Sequence, residues 1–344
     1  MYAMKLSDYN YKLPKERIAQ HPPQKRGDAK LLVLDKSTGE VKDKKYADLL
    51  SYLNPGDIVV LNNTKVIKAR LEAVGADGKK YEILLTEKHG QAEDKYHHKA
   101  MYRGKLKEGM DLAIDKYNVR VLGVYEDGTA LLESTADFME IAESLGHVPL
   151  PPYMKREDTK EDVERYQTEF AKSEGSVAAP TASLNFTDKL IDKLKARGVE
   201  VCYLTLHVGL GTFLPIRTDN IKEHKMHSEW FSIPGSTVKK INKAKNSGNK
   251  VLAVGTTVAR TLEYASEHIL SGKENIEGES DIFIYPGYQF KVVDMLLTNF
   301  HAPKSTVLML AGAFAGWDNL LIAYEKAIKN EYNFLSYGDS MLIR

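Results

Sequence analysis

The chain has 344 residues, 43% apolar and 28% charged, with one cysteine, Cys202, and a net charge of +1. That is the composition of a soluble globular protein with room for a sizeable core and more than one domain; a single cysteine excludes an internal disulfide, a thiolate zinc knuckle and an iron–sulfur cluster built by this chain alone. No apolar run approaches the ~20 residues of a membrane span, and MYAMKLSDYN lacks the apolar stretch of a secretion signal, so a cytoplasmic protein without membrane attachment is expected.

The near-neutral total hides an asymmetry, because residues 1–70 hold 14 Lys/Arg against 8 Asp/Glu. Such a basic end is compatible with a polyanionic partner such as RNA, with Lys15, Arg17, Lys25 and Arg26 as candidate phosphate contacts, although solvated surface charge gives the same count. LLVLD (31–35) and DIVVLNN (57–63) read as strands, bounded by the turns STGE and NPGD. From Lys68 the texture changes: KARLEAVGADGKKYEILLT and VRVLGVYEDGTALLES are alternating runs joined by G-A-D-G and E-D-G, each a hairpin. KLKEGMDLAI between them reads as strand-turn-strand, so 64–148 is expected to be a small all-β, barrel-like domain.

HVPLPPYMKR stops regular structure with its prolines. Helices and strands then alternate: FTDKLIDKLKARG with Thr187 as N-cap and Gly198 past its end, the strand VEVCYLTLHV, the helix TVKKINKAKNSG, the strand KVLAVG, the helix TTVARTLEYA, strands at SDIFIY and VVDMLLTNF, and helices at STVLMLAGAFAG and LLIAYEKAIKN. The alternation predicts an α/β domain made of 1–63 and 149–344, a mostly parallel sheet or open barrel with flanking helices, interrupted by the β module.

Polar clusters follow several of these strands. TLHVGLGT places His207, Gly209, Gly211 and Thr212 at a strand end, where glycine allows a tight turn or a close ligand; Leu214 replaces the third glycine of a dinucleotide fingerprint. HKMHSEW offers His224, His227 and Glu229, a spacing that suits a metal only poorly without HExxH or a thiolate; a polar pocket with a neutral imidazole as base fits better, and no metal is expected. VGTTVARTLE supplies Gly255 and a helix N-terminus at Thr256 and Thr257 with Arg260 one turn in, the makings of an anion or carboxylate site, although a plain helix cap has the same pattern. TNFHAPKST adds Asn299 and His301, and GSVAAPTASLNFT adds Pro180, Thr181 and Asn185 before a helix. Open α/β sheets bind ligands at the carboxyl ends of their parallel strands, so these clusters are expected to share one pocket.

Taken together, LPKERIAQHP, NPGDIVVLNNTKVIKARL, LGHVPLPPYMKR, ERYQTEFAK, GSVAAPTASLNFT, TLHVGLGTFLPI, HKMHSEW, VGTTVARTLE, IYPGYQF and TNFHAPKSTVLMLAGAFAG resemble the motifs of the S-adenosylmethionine:tRNA ribosyltransferase-isomerases of queuosine biosynthesis, in order from about residue 8 to the C-terminus. The resemblance implies an α/β domain with an inserted β-barrel-like domain. It also implies transfer of the ribosyl part of S-adenosylmethionine, as co-substrate, to the aminomethyl group of a 7-deazaguanine at the tRNA wobble position, giving epoxyqueuosine and releasing adenine and methionine. A sulfonium acidifies the adjacent ribose C–H, so a base of near-neutral pKa is called for, and His207, His227 and His301 all fall in family motifs. Pro180, Thr181, Asn185, Gly209, Gly211, Thr212, Glu229, Gly255, Thr256, Thr257, Arg260 and Asn299 are the expected substrate-binding positions; Thr256, Thr257 and Arg260 suit the methionine carboxylate on helix geometry alone. A monomer acting on tRNA is expected. The family usually has histidine where this chain has Asn185, which can orient a substrate but not take its proton, and Lys68 replaces a usual proline. A divergent paralogue acting on another deazaguanine or nucleic acid, or a non-catalytic tRNA binder, are the alternatives.

Overall fold

The computed structural model describes residues 4–88, 94–209, 211 and 216–344. Runs such as IVVLN and VLAV are apolar at every position, which suits strands buried on both faces. Successive side chains point to opposite sides of the sheet. Ile58 and Val60 therefore pack with Val251, Ala253 and helices carrying Val238, Val258 and Leu310, whereas Val59 and Leu61 pack with Leu252, Val254 and the helix carrying Leu190 and Leu194.

These strands form the middle of a nine-stranded sheet in the order Ile276–Ser280, Glu229–Ile233, Glu200–Leu206, Ile58–Asn62, Val251–Val254, Met295–Asn299, Ser340–Ile343, Lys30–Leu34 and Val41–Lys45. The four strands from Glu200–Leu206 to Met295–Asn299 are mutually parallel, as is the pair Ser340–Ile343 with Lys30–Leu34; the other four pairings are antiparallel. The architecture is mixed α/β, and the expectation of a mostly parallel sheet or open barrel is corrected to a parallel centre with antiparallel flanks. The flanks come from segments that periodicity does not reveal. VKDKK (41–45) is a largely exposed, lysine-rich edge strand, the composition that discourages further edge pairing. SMLI (340–343) is too short to stand out, and IEGES (276–280) forms the outer strand in place of the expected SDIFIY, whose residues 281–285 run on without strand pairing among the described residues.

Helix ends follow local chemistry. Thr187 accepts the Leu190 N–H at 3.2 Å, and Gly198 at φ 79° ends the helix Asp188–Ala196. No single described helix is long and apolar enough to cross a membrane; Thr306–Ala315 and Trp317–Lys329 are apolar enough only as a pair bent by 111°, and the first is packed in the core.

The two hairpins close, with two further strands, into a six-stranded antiparallel barrel: Thr129–Ser134, His97–Arg103, Lys80–Leu85, Arg70–Gly75, Asp111–Ile114 and Tyr117–Val124. Alternation turns Leu71, Ala73, Ile83, Leu85, Val119 and Leu132 into its interior, and the helix Phe138–Leu145 packs Phe138 and Ile141 into the same core. KLKEG is irregular rather than a strand. The strand His97–Arg103, HHKAMYR, buries only Ala100, so its sequence carries no alternation to read.

Candidate functional site

The carboxyl ends of the four parallel strands carry the polar clusters, and each is fixed by its own backbone logic. After Ile58–Asn62, the Asn62 amide spans to the next strand, donating Nδ2–H to Leu206 O at 2.9 Å and accepting the Leu206 N–H at 3.1 Å. Val208 is held to the segment 176–178 through the Ser176 hydroxyl, which accepts its N–H at 2.9 Å. After Val251–Val254, Gly255 takes φ 100°, a left-handed conformation that glycine adopts without strain, and starts the helix Thr256–Tyr264. After Met295–Asn299 the chain turns through His301 to Ser305, which caps the helix Thr306–Ala315 by accepting the Leu308 N–H at 3.2 Å.

A cavity of about 600 Å³ opens at this edge, a size in the range of small-molecule sites. Of the expected residues, Pro180, Thr181, Gly255, Thr256, Thr257, Asn299 and His301 line it. Thr181 donates its hydroxyl to Asn299 Oδ1 at 2.8 Å, and the Asn299 amide faces the Gly338 and Asp339 carbonyls at 3.4 Å. Thr257 is buried, and its Oγ1 has no hydrogen-bond partner among the described residues. The first N–H groups of the helix that begins at Thr256 have no helical acceptor and carry the positive end of its dipole, so this wall suits an anion.

His301 is held at three points. Its N–H donates to the Tyr324 hydroxyl at 2.9 Å, its carbonyl accepts the Tyr11 hydroxyl, and its Nε2 lies 2.8 Å from Thr298 Oγ1. Loss of solvent pushes its imidazole down to about 3, so the ring is neutral at working pH. Tyr153 and Ser336, joined hydroxyl to hydroxyl, complete the polar lining; burial, partly opposed by the Ser336 bond, pushes the Tyr153 phenol up to about 12. Neither was singled out from sequence; Tyr153 lies in LGHVPLPPYMKR, which served as a stop to regular structure and as one of the resembling motifs, with no role given to the tyrosine.

The remaining expected residues stand behind or beside the cavity. His207 is buried, with Nδ1 at 2.8 Å from Thr64 Oγ1 and its ring stacked on Trp230 at 5.1 Å between centroids. Its other face covers Gly175, where a methyl group would come within 2.8 Å of Nε2. The G-x-G glycines work the same way: a methyl on Gly211 would fall 2.5 Å from His227 Cδ2, and one on Gly209 would fall 2.3 Å from Glu87 Oε1. Here glycine serves close approach of titratable side chains to backbone. His227 itself is exposed, and Thr212 lies outside the described residues.

Arg260 and Glu229 are placed differently from expectation. Both are buried, Arg260 Nη1 donates to Glu229 Oε2 at 2.7 Å, and Glu229 Oε1 accepts the Gly209 N–H at 2.9 Å. The guanidinium expected to meet a carboxylate from solution is thus already held by one of the chain's own and does not line the cavity. Asn185 is buried beyond the short turn Thr181–Ser183 and is likewise absent from the lining.

The basic segment is also partly committed. Arg26 donates to the Leu184 and Glu164 carbonyls at 2.9 and 2.7 Å, and burial, followed by the nearby charge of Arg165, lowers its pKa. Arg17 pairs with Glu331 at 2.7 Å, whereas Lys15 and Lys25 are exposed. A cation that sequence reasoning passed over, Lys304, stands exposed at the cavity wall with φ 59°. Among the described residues no group of three or more His, Cys, Asp or Glu is placed to hold a metal ion.

Comparison with known proteins gives one consistent result. Residues 6–343 match the family described as queuosine biosynthesis protein. The chain is 50% identical over 344 residues to the S-adenosylmethionine:tRNA ribosyltransferase-isomerase of Pelodictyon phaeoclathratiforme, covering 99% of this chain and 100% of that protein. It is 51% identical over 343 residues, with the same coverage, to the protein of that name from Chlorobaculum parvum. The crystal structure of an S-adenosylmethionine tRNA ribosyltransferase from Thermotoga maritima is 36% identical and superposes with a TM-score of 0.56, covering 98% of this chain and 100% of the other.

Proposed function

The chain belongs to the queuosine biosynthesis protein family, and on that premise we propose that it is an S-adenosylmethionine:tRNA ribosyltransferase-isomerase. It moves the ribosyl part of S-adenosylmethionine to the aminomethyl group of a 7-deazaguanine at the tRNA wobble position, with rearrangement of the sugar and release of adenine and methionine. The observation that carries this reading at the level of the site is the 600 Å³ cavity at the parallel strand ends, which joins an anion-ready helix N-terminus to a neutral imidazole within one lining.

The methionine carboxylate is assigned to the N–H groups and hydroxyls of Thr256 and Thr257, where a charge-assisted hydrogen bond satisfies Thr257 Oγ1. The ribose faces Thr181 and Asn299, whose mutual hydrogen bond fixes the Asn299 amide. His301 is the histidine of the three candidates that meets the sugar. With Nε2 against Thr298, Nδ1 is the nitrogen that accepts a hydrogen bond or a proton from the C–H beside the sulfonium; burial holds the free imidazole below the near-neutral range that suits a base, so its part in that step rests on position more than on basicity. His207, wedged between Thr64, Trp230 and Gly175, and Glu229, bound to Arg260 and to the Gly209 N–H, hold the backbone around Val208, which lines the cavity.

Lys15, Lys25 and Lys304, which are exposed, are assigned to tRNA phosphates. The span 64–148 acts as a module inserted into a catalytic domain formed by 1–63 and 149–344, and the reaction proceeds without a metal, in the cytoplasm where tRNA resides. Incubation with S-adenosylmethionine and tRNA carrying the aminomethyl precursor should release adenine in step with loss of precursor. Binding of that tRNA with no adenine release would reject the enzymatic reading in favour of a tRNA-binding role.

A further inference from the structure

The cavity carries one fixed charge. Among the described residues that line it, Lys304 is the only Lys, Arg, Asp or Glu; it is exposed and forms no salt bridge with a described residue. Its backbone is anchored, because the N–H donates to the Tyr9 carbonyl at 2.9 Å and the buried Tyr9 ring meets Trp317 edge-on at 5.0 Å between centroids. The anchored conformation has φ 59°, a left-handed geometry that costs a lysine free energy and a glycine none. Of the non-glycine residues described with positive φ, namely Asp115, Lys304, Glu331 and Leu335, Lys304 and Leu335 line this cavity. Backbone of this kind persists where its surroundings over-determine it, and it gathers at ligand sites. A lysine is thus kept on the cavity lining in a conformation that favours glycine.

Resting on the function proposed above, we infer that Lys304 grips a phosphodiester directly flanking the acceptor base, and so sets which nucleotide presents its base to the sugar. Enzymes that act on a base within a polynucleotide extrude it into their pocket, and a base that enters brings its own two phosphodiesters to the rim by covalent connection. S-adenosylmethionine gives no competing reason for an exposed cation here. Its sulfonium would be repelled, and its carboxylate is assigned to the Thr256 and Thr257 wall. Lys15 and Lys25 do not line the cavity, so their attraction for RNA carries no register; a cation on the lining fixes the position of the nucleotide beside it.

The test measures direct binding of an anticodon stem-loop RNA carrying the aminomethyl base to wild type, Lys304→Ala and Lys304→Gly. Lys304→Ala should bind about tenfold more weakly, with the log-log salt slope reduced by about 1 and the affinity for S-adenosylmethionine changed less than about twofold. The two phosphodiesters flanking the acceptor nucleotide are then replaced, one at a time, by neutral methylphosphonate. At one of them wild type should suffer the same loss of about tenfold, and Lys304→Ala should lose nothing further. Losses that add at both positions, an unchanged RNA affinity, or weakened binding of S-adenosylmethionine in its place would overturn the inference. Lys304→Gly separates site from fold: its urea midpoint should hold or rise while RNA affinity falls as in Lys304→Ala, whereas a falling midpoint would assign the lysine to the fold. Adenine release by wild type is measured first; its absence would reject the proposed function, and the methylphosphonate contrast would still decide the role of Lys304 by binding alone.

Discussion

The barrel and the carboxyl edge of the parallel strands treat their polar side chains in opposite ways. On the barrel and the segments beside it, charges answer one another at the surface, as in Lys80–Glu72 at 3.4 Å, Lys95–Asp137 at 3.6 Å and Lys99–Asp127 at 2.9 Å, and its interior is apolar. At the sheet edge the polar groups are buried or half-buried: the Arg260–Glu229 pair, Thr257 Oγ1 without a partner among the described residues, and the half-buried, neutral His301 imidazole. Exposed pairs contribute little and need no further purpose. Buried polar groups cost free energy unless matched, so the edge that keeps them is the one shaped for a ligand.

The largest expected effect follows from the buried pair. Arg260→Ala would leave the Glu229 carboxylate buried with only the Gly209 N–H and its other local contacts, and should lower stability by about 3–5 kcal/mol, read from the urea midpoint at constant m-value. A loss below about 1 kcal/mol would place this pair in the same class as those on the barrel. Next comes His301→Ala, expected to reduce turnover by roughly 100-fold while S-adenosylmethionine binding persists. The wild-type pH profile carries a companion test. A base is active when unprotonated, and burial holds this imidazole down to about 3, so its active form persists throughout the neutral and mildly acidic range. Activity should therefore show no acid limb from the base between about pH 5 and 8. An acid limb there that disappears in His207→Ala or His227→Ala would move the base to that histidine.

A smaller change is expected on the anion wall. Thr257→Val keeps the shape of the side chain and the helix N–H groups but removes Oγ1. The KM for S-adenosylmethionine should rise about tenfold, or about 1.4 kcal/mol, with kcat nearly unchanged, because the carboxylate is held equally in ground and transition states. A selective fall in kcat would show that Thr257 acts on the reacting sugar instead.

How much of this was legible in the sequence depends on the range of the interaction. The parallel strands are readable because IVVLN and VLAV are apolar on both faces, and the cavity walls are readable because Gly255, Thr256, Thr257, Asn299 and Thr181 stand at element ends. The partner of Arg260 was not legible, since helix geometry alone cannot show that Glu229, on a separate strand, faces it. Glu87 carried no signal at all, because its partner Gly209 is met only when barrel and sheet are assembled. Asn185 shows the same limit. The resemblance drew attention to it as a missing histidine, yet it is buried away from the cavity lining. Asn185→His should accordingly change turnover by less than roughly tenfold; a gain of about 100-fold would mean that a general base belongs at this position after all.

The smallest effect is expected on the barrel, where Lys99→Ala tests the other half of the contrast. Lys99 Nζ lies 2.9 Å from Asp127 Oδ2 and 5.7 Å from the Tyr125 ring centroid, with the two paired side chains 49% and 53% exposed. Solvent screens both attractions, so their joint loss should cost under about 1 kcal/mol and shrink further in salt. Asp127 is not stranded by the change. The Thr129 hydroxyl, ahead of Lys99, holds its carboxyl down to about 2, and the Thr129 N–H adds a bond at 3.0 Å. A carboxyl held below its unfolded value contributes stability at neutral pH that is lost as pH falls toward 2; with Thr129 retained, Lys99→Ala should keep most of that acid-side loss. A cost above about 2 kcal/mol, insensitive to salt, would show that this pair stabilises the fold as a buried one does, and the division between a self-satisfied barrel and a ligand-ready sheet edge would fail.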